Sequence, residues 1–322
     1  MPDRPRIILH TDAPEPLRDR LLDVMPRAKV ALCDDYDGLR DLVPAFRPDI
    51  VYSVCFAGSA GFPAAALTGA HGPRWIAVGG SGCDHLGTWD TARVTVTNAP
   101  GLAAGMMAEY ALGCLLHFTL DIDGLAADKA ARVWRARRVR PLAGRTLLIV
   151  GLGHTGQALA ARAKALGMSV IGTRARPRPV PHVDEVHPAD AVATLWGRAD
   201  AIVISVPLLA ATRGLVDRAA FAAMKPGVLL VDVSRGGVVV EAALIAALKS
   251  GQVAGAALDV FGTEPLPPDS PLWGVERVII SPHCSAASAE WDGAVFGVFL
   301  DNLRNWLAGR PLFNVVDPGR GY

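Results

Sequence analysis

Three side chains suited to acid–base and anion chemistry follow apolar, strand-like runs in the last third of the sequence. Arg235 follows the run in LLVDVSRGG, Glu264 follows the run in AALDVFGTEP, and His283 follows the run in VIISPHCSA. Asp259 ends the second of these runs. The carboxyl ends of strands line the ligand crevice of an open α/β sheet, so this spacing predicts that the three groups meet on one side of a sheet.

A glycine motif earlier in the chain predicts a dinucleotide site. Gly151, Gly153 and Gly156 fit G-x-G-x-x-G between an apolar strand and an alanine-rich helix. The first glycine allows a tight turn, the second lets the backbone approach a pyrophosphate, and the third lets helix and strand pack closely. The helix N-terminus adds free N–H groups for the phosphates. His154 lies inside this loop, where the pyrophosphate would separate it from the nicotinamide, which favours a surface or phosphate-neighbouring role.

The next strand ends without the acidic residue that would bind both ribose hydroxyls and repel a 2′-phosphate. Thr173, Arg174 and Arg176 stand there instead. A hydroxyl and two guanidiniums suit a 2′-phosphate through charge-assisted hydrogen bonds. The sequence therefore favours NADP(H) over NAD(H). The alternative is that the arginines are solvated and both cofactors are used.

Together these groups suit hydride transfer to a small 2-keto acid. Arg235 can hold the carboxylate and the carbonyl. His283 can protonate the developing alkoxide, or accept the proton in reverse. Glu264 would orient the imidazole and favour its charged form. Asp259 would support this network or position the nicotinamide, although an aspartate at a strand end also commonly caps a loop.

The elements that position these groups alternate in a doubly wound α/β pattern. Helices are predicted from about 103 to 127 and from about 288 to 308. Short apolar runs bounded by turn residues predict buried parallel strands at 6–9, 29–32, 50–54, 75–78, 147–150, 169–172, 201–206, 228–233, 254–258 and 278–280.

Composition excludes several classes of protein. The 322 residues carry 32 Lys and Arg against 31 Asp and Glu, a net charge of +1 that demands no polyanionic partner. The basic stretch 131–140 is predicted to be a solvated connector and not a nucleic-acid patch. The stretch 110–120 is too short to span a bilayer. Five scattered cysteines without C-x-x-C indicate reduced thiols in a cytoplasm and no metal site.

The motifs resemble those of the D-2-hydroxyacid dehydrogenase family, which includes glyoxylate/hydroxypyruvate reductases, phosphoglycerate dehydrogenases and formate dehydrogenases. The resemblance runs from about residue 75 to 307, through WIAVGGSGCDHL, VTVTNAPGLAAGMMAEYAL, LAGRTLLIVGLGHTGQALA, ISVPLLAATRGLV, MKPGVLLVDVSRGGVV, AALDVFGTEPLP and SPHCSA. It implies two Rossmann-like domains with the active site in the cleft between them. Residues 1–101 with 286–322 would form the substrate domain, and 102–285 the dinucleotide-binding domain.

The resemblance also implies roles for further residues. Arg235, Glu264 and His283 would be the catalytic set, with Arg235 and His283 binding substrate. The loop of Gly80, Ser81 and Gly82 would bind the substrate carboxylate through its N–H groups, unless it is an ordinary turn. Family members are usually homodimers joined through the cofactor domain. The residues implied to contact cofactor, beside those of the glycine loop and the arginine segment, are Thr155, Val206, Pro207, Thr212, Val233, Ser234 and Asp259.

Within the family, the pair Thr173-Arg174 with Arg176 resembles NADPH-preferring glyoxylate/hydroxypyruvate reductases. His154-Thr155 departs from the more usual residues of the glycine loop, and the loop 53–61 is unusually small and apolar, which leaves the substrate's side group open. Two alternatives stay open. The chain is a dehydrogenase of the same family for a larger 2-hydroxy acid or another oxyanion, or it is a non-catalytic dinucleotide sensor or protein-binding module.

Overall fold

The computed structural model describes residues 4–55 and 60–318, so residues 56–59 of the loop 53–61 lie outside the described part. The chain divides into two compact units, Met1–Leu102 with Ala287–Tyr322, and Ala103–Ala286. Each unit contains one all-parallel sheet covered by helices. The prediction of two doubly wound α/β domains is therefore confirmed.

The first unit begins with five strands separated by helices. β1 and β3 are buried almost throughout because they carry apolar side chains on both faces, as expected for the centre of a parallel sheet. The elements are β1 (Arg6–His10), α1 (Glu15–Val24), β2 (Lys29–Cys33), α2 (Tyr36–Phe46), β3 (Ile50–Ser53), α3 (Ala64–Thr68), β4 (Trp75–Val78) and β5 (Thr95–Thr97).

The second unit contains seven strands and five helices. The elements are α4 (Ala104–Leu120), α5 (Ile122–Ala130), β6 (Thr146–Val150), α6 (His154–Ala165), β7 (Ser169–Arg174), β8 (Glu185–Pro188), β9 (Ala201–Ile204), α7 (Arg218–Ala223), β10 (Val228–Asp232), α8 (Glu241–Lys249), β11 (Val253–Leu258) and β12 (Val278–Ile280). Helices on the two faces of this sheet bury two separate apolar clusters.

The last helix, α9 (Ala289–Leu307), returns to the first unit, within the predicted range. Ser288 caps it by accepting a hydrogen bond from the Trp291 N–H at 3.2 Å. Its buried face packs on the first sheet, where Phe296 and Phe299 meet the Tyr52 ring with centroids 5.2 and 5.1 Å away. The C-terminal helix thus completes the core of the N-terminal sheet.

Strand order determines where each sheet can hold a ligand. The first sheet runs β2-β1-β3-β4-β5 and the second β12-β11-β10-β9-β6-β7-β8. In the second sheet the order reverses between β6 and β9, which pair in register from Leu147 with Ala201 to Val150 with Ile204. A reversal of this kind opens a crevice beyond the carboxyl ends of the two strands.

The prediction of one helix over 103–127 is wrong. The helix breaks at Asp121, which adopts a left-handed conformation with φ 54° and separates α4 from α5. Aspartate tolerates this conformation better than most residues. The Arg137 guanidinium forms ion pairs with Asp121 and, at 2.7 Å, with Asp128, so the basic stretch folds back on the broken helix.

Two strands were missed, and each lies at the edge of its sheet. β5 is the three-residue run TVT and β8 is EVHP. Edge strands are short and polar because only one side is paired, so they lack the apolar run that marks the others. Within residues 4–55 and 60–318, no helix is long and apolar enough to cross a membrane, and no cluster of His, Cys, Asp or Glu could hold a metal ion.

Candidate active site

The glycine loop closes tightly around β6 and leaves one face open. Gly151 has φ 106°, and a Cβ there would lie 2.5 Å from the Ser205 carbonyl oxygen. A Cβ on Gly156 would lie 2.1 Å from the Gly151 carbonyl oxygen. At Gly153 a Cβ would meet no described atom within 4 Å, and α6 begins at the next residue, His154. The loop therefore has the shape of a pyrophosphate cradle, with open space at the second glycine and a helix N-terminus beside it.

The carboxyl end of β7 presents two guanidiniums. Thr173 pairs with Val150 in the sheet and is only 1% exposed, whereas Arg174 is half-buried and Arg176 is exposed. Neither arginine forms an ion pair with a carboxylate in the described part of the chain. The exposed surface at this strand end is thus mainly that of the two arginines, and the predicted cofactor contact of Thr173 stays a prediction.

The segment after β9 lies beside the glycine loop. Ser205 donates a hydrogen bond from Oγ to the Gly151 carbonyl oxygen at 2.8 Å, a brace that sequence reasoning did not find. Val206 is half-buried and Pro207 is exposed. Thr212 turns its hydroxyl back to the Pro207 carbonyl oxygen at 2.6 Å and so closes this loop on itself.

A buried carboxylate shapes the loop that carries Arg235. Asp232 ends β10 and accepts hydrogen bonds from the Ser234 N–H at 2.9 Å and the Ser234 hydroxyl at 2.5 Å. Val233 and Ser234 are buried, and Arg235 donates from Nη1 to the Ser234 carbonyl oxygen at 2.8 Å. Burial raises the pKa of Asp232 to about 7, an effect that the Ser234 hydrogen bonds oppose and the nearby Asp259 increases.

Glu264 and His283 form a direct pair. His283 Nδ1 lies 2.8 Å from Glu264 Oε2, and Glu264 Oε1 accepts the Phe261 N–H at 2.9 Å. Burial alone would raise the pKa of Glu264, but the His283 hydrogen bond and charge, with smaller effects from Phe261 and Arg235, lower it below its ordinary value. The carboxylate is therefore ionised at neutral pH and orients the imidazole. Nε2 is left as the ring nitrogen that can exchange a proton.

Asp259 holds the turn on which His283 stands. It is 1% exposed, and its Oδ1 accepts the Ser281 hydroxyl at 2.6 Å and the Cys284 N–H at 2.8 Å. The Ser285 N–H lies 3.1 Å from both carboxylate oxygens. These contacts support a role in holding the network around His283, while the predicted cofactor contact of Asp259 stays a prediction.

The loop predicted to bind a substrate carboxylate belongs to the first unit. The Gly80 N–H donates to the Val78 carbonyl oxygen at 3.0 Å, and Gly80 accepts the Ala99 N–H at 2.8 Å. Asn98 Nδ2 donates to the Ser81 carbonyl oxygen at 2.8 Å. In the described part of the chain the Ser81 and Gly82 N–H groups make no such bond, so two of the three predicted donors remain for a ligand.

The second unit matches a known protein family. Residues 112–285, more than half of the chain, match the model of the NAD binding domain of D-isomer specific 2-hydroxyacid dehydrogenases. The chain belongs to this family. The predicted resemblance is therefore confirmed, and the second unit is an NAD(P)-binding domain within a family of oxidoreductases that act on CH–OH donors.

Solved structures are similar to nearly the whole length of this chain. A D-isomer specific 2-hydroxyacid dehydrogenase family protein from Aeromonas salmonicida is 29% identical with a TM-score of 0.86, covering 98% of this chain and 99% of its own. An NADPH-dependent glyoxylate/hydroxypyruvate reductase from Sinorhizobium meliloti, solved with NADP and sulfate, is 28% identical with a TM-score of 0.81, covering 99% and 100%.

Curated sequences match less completely. D-3-phosphoglycerate dehydrogenase from Methanocaldococcus jannaschii is 36% identical over 227 residues, which are 70% of this chain and 43% of the relative. The chain thus spans less than half the length of such relatives.

Asp232→Asn tests the protonation of the buried carboxyl. A pKa near 7, above the ordinary value of about 3.9, means that the folded protein binds this proton more tightly, so wild-type stability falls as pH rises from about 4 to 7. The amide keeps an acceptor for Ser234 but has nothing to ionise. We expect the stability of the variant relative to wild type to rise by up to about 4 kcal/mol between pH 4 and pH 8, measured by urea unfolding.

Asp200→Asn is the matched control with the opposite sign. Burial alone would raise the pKa of Asp200, but hydrogen bonds from Thr146 and Lys225 lower it, so its contribution to stability is present above its ordinary pKa and is lost in acid. Its variant should lose relative stability as pH rises. A constant difference between Asp232→Asn and wild type at both pH values would show that the Asp232 carboxyl does not titrate in this window.

Proposed function

We propose that the chain is an NADP(H)-dependent reductase of small 2-keto acids of the glyoxylate or hydroxypyruvate type, giving the D-2-hydroxy acid. The observation that carries the proposal is the 2.8 Å pair of His283 and Glu264, on the same sheet edge as Arg235 and the glycine cradle. A dinucleotide sensor has no need of an imidazole held by an ionised carboxylate. The proposed direction, reduction of the keto acid, is inferred from the proposed NADPH preference.

The residues at the switch point fit a dinucleotide. The open face at Gly153, the close contacts at Gly151 and Gly156, and the N-terminus of α6 would hold the pyrophosphate. Val206, Pro207 and Thr212 would border the adenosine side, and Val233, Ser234 and Asp259 the nicotinamide side. When bound, the reduced nicotinamide supplies a hydride.

The protein's own groups bind the acid and move one proton. Arg235 binds the substrate carboxylate and the carbonyl oxygen. As C2 gains the hydride, the carbonyl π pair moves to oxygen and takes the proton from His283 Nε2. The imidazolium becomes imidazole, and Glu264 keeps the ring oriented in both states.

Arg174 and Arg176 are proposed to select NADPH by binding its 2′-phosphate. Their charges at the end of β7, which are unpaired in the described chain, half-buried at Arg174 and exposed at Arg176, support this, as does NADP in the Sinorhizobium meliloti structure. NAD(H) lacks the 2′-phosphate and would be used less well. We also propose a reducing compartment such as the cytoplasm, because the five cysteines are scattered along the sequence and form no C-x-x-C motif.

A homodimer is proposed through the segment 122–139 of the second unit. Trp134 is fully exposed, and Ile122, Leu125, Val133 and Val139 are each more than one third exposed. Exposed apolar side chains gathered in one segment mark an interaction surface. Arg137 holds the segment against the broken helix through Asp121 and Asp128, so the surface is presented in a fixed shape.

Loss of His283 should remove the chemistry. With purified full-length protein, NADPH oxidation is measured against glyoxylate, hydroxypyruvate, pyruvate, phenylpyruvate and a branched keto acid. His283→Gln should lower kcat by roughly 10²–10⁴-fold, because the developing alkoxide has no positioned acid. His117→Gln is the matched control, since it breaks a 2.9 Å histidine–aspartate pair with Asp123 elsewhere.

Each result of this screen has a consequence. Near-wild-type turnover in His283→Gln would refute the acid–base assignment. If wild type turned over only the larger acids, the substrate would be a larger 2-keto acid and not glyoxylate or hydroxypyruvate. Cofactor binding without turnover on every acid would replace the reductase with a sensor.

Cofactor choice is tested at the two arginines. Arg174→Gln and Arg176→Gln should each raise the KM for NADPH by about 10- to 100-fold, as expected for a lost charge-assisted hydrogen bond. The KM for NADH should change by less than about twofold, since its ribose carries no 2′-phosphate. Arg178→Gln, an exposed arginine of the same loop, is the control. Equal losses with both cofactors would contradict 2′-phosphate recognition.

Trp134→Ser with Leu125→Ser tests the interface. Light scattering should give twice the chain mass for wild type and one chain mass for this variant at micromolar concentration, because the apolar contact is lost. Trp273→Ser removes another exposed tryptophan outside the segment and should stay dimeric. A monomeric wild type, or a variant that stays dimeric, would remove segment 122–139 as the interface.

A further inference from the structure

A hydrogen-bonded chain runs from helix α4 to the turn that carries His283. The Tyr110 hydroxyl lies 2.7 Å from Ser281 Oγ, and Ser281 Oγ donates to Asp259 Oδ1 at 2.6 Å. Since the serine proton goes to the carboxylate, Tyr110 is the donor to Ser281. Burial raises the pKa of the Tyr110 phenol well above its ordinary value, so the phenol keeps its proton.

The series of hydrogen bonds ends at the Asp259 carboxylate, which binds the turn on both sides of His283. Ser281 precedes His283 by two residues, and Cys284 and Ser285 follow it; all three donate to Asp259. The turn is closed further by the His283 N–H, which donates to the Ser281 carbonyl oxygen at 2.9 Å. One carboxylate thus fixes the backbone before and after the histidine.

The histidine needs this support because its backbone is strained. His283 has φ 52°, in the left-handed region that a residue with a side chain adopts only at an energetic cost. Such a conformation persists when the surrounding contacts determine it. Here those contacts are the hydrogen bonds to Asp259 and the 2.8 Å bond from the ring to Glu264.

Helix α4 provides a firm base for the chain. It packs against α6 and against β10 and β11, with Ala108, Ala111 and Leu115 buried. Tyr110 lies on this helix and reaches Ser281, 171 residues further along the chain. The phenol therefore ties the turn to a part of the core that lies outside the catalytic loops.

We propose that Tyr110 is a positioning residue that, through Ser281 and Asp259, holds the His283 turn so that the imidazole meets Glu264. This inference rests on the proposed reductase function. Tyr110 does not need to touch substrate or cofactor. Its effect reaches the reaction through the orientation of His283. The charged groups at this turn are Glu264, which pairs with the ring, Arg235, whose charge acts on Glu264, and Asp259, which binds the turn backbone.

The test is a double-mutant cycle on the full-length protein. Tyr110→Phe removes one hydroxyl and should lower kcat about 3- to 10-fold with an unchanged KM for NADPH, the size expected for one hydrogen bond. Ser281→Ala should lower kcat about 10- to 30-fold, and Ser281→Thr, which keeps the hydroxyl, should retain most of the activity. The double variant should lose no more than Ser281→Ala alone, because both changes break the same chain.

Thr119→Val is the matched control. It removes from the same helix a hydroxyl that bonds only its own helix, at the Leu116 carbonyl oxygen, so kcat should be unchanged. In Tyr110→Phe the pH profile of kcat should differ from that of the wild type, because a loosened ring loses part of its contact with Glu264. A lower melting temperature with wild-type kcat and pH profile would overturn the proposal, as would additive losses in the double variant.

A second readout separates this inference from the proposed function. The pH midpoint of the His283 ring signals, assigned by their absence in His283→Gln, can be followed by nitrogen-15 NMR without any substrate. It should differ from the wild-type midpoint in Tyr110→Phe and stay unchanged in Thr119→Val. If wild type reduces no keto acid, the proposed function fails, and this titration still decides the role of Tyr110. An unchanged midpoint in Tyr110→Phe refutes that role.

Discussion

Parallel pairing of β10, β11 and β12 is the constraint on which the candidate site depends. Asp232, Leu258 and Ile280 stand in register at the carboxyl ends of these strands. Each strand then releases a short loop at the same edge, and these loops carry Arg235, Glu264 and His283. Residues far apart in sequence become neighbours because hydrogen bonding aligns the strands, and the reversal between β6 and β9 opens the crevice beside them.

Two buried aspartates, Asp232 at the end of β10 and Asp259 just after β11, fix the shape of the loops beside them. The Asp259 N–H donates to the Asp232 carbonyl oxygen at 3.0 Å, so the two residues are neighbours in the sheet. Asp259 accepts three backbone or hydroxyl donors on one oxygen, whereas both bonds to Asp232 come from Ser234. An ionised carboxylate in the interior needs several donors to offset its desolvation. Asp259, which has more hydrogen-bond donors, therefore holds the strained His283 turn. Burial raises the pKa of Asp232 to about 7.

The sequence predicted what depends on local pattern. Apolar runs located the central strands, and the glycine spacing located the loop whose Cβ contacts now explain Gly151 and Gly156. The proximity of Arg235, Glu264 and His283 within the second unit followed from their positions after strands. These signals succeed because buried parallel strands and tight turns restrict which residues can occupy them.

What the sequence could not show depends on tertiary contact. The break at Asp121 is stabilised by Arg137, sixteen residues away, and no local signal interrupts the helical pattern. Ser205, Tyr110 and Ser281 carry hydroxyls of ordinary appearance. Their roles emerge only when β9 meets the glycine loop and α4 meets the β12 loop. The burial of Thr173 likewise follows from its pairing with Val150 and not from residue type.

The proposed cofactor preference depends on the two arginines at the carboxyl end of β7. The basic groups at the amino end of β7 are paired with carboxylates: Lys164 pairs with Asp184 at 2.9 Å, and Arg198 pairs with Glu185, which lies opposite Ile171. The Arg198 guanidinium, with a smaller effect from His187, holds the pKa of Glu185 at about 2, so this carboxylate is ionised and already paired. Arg174 and Arg176 form no such pair in the described chain, and they follow the strand end at which the proposed function places the adenosine ribose. A 2′-phosphate there gains two charge-assisted partners without first displacing a carboxylate, which is the physical basis for expecting discrimination against NADH.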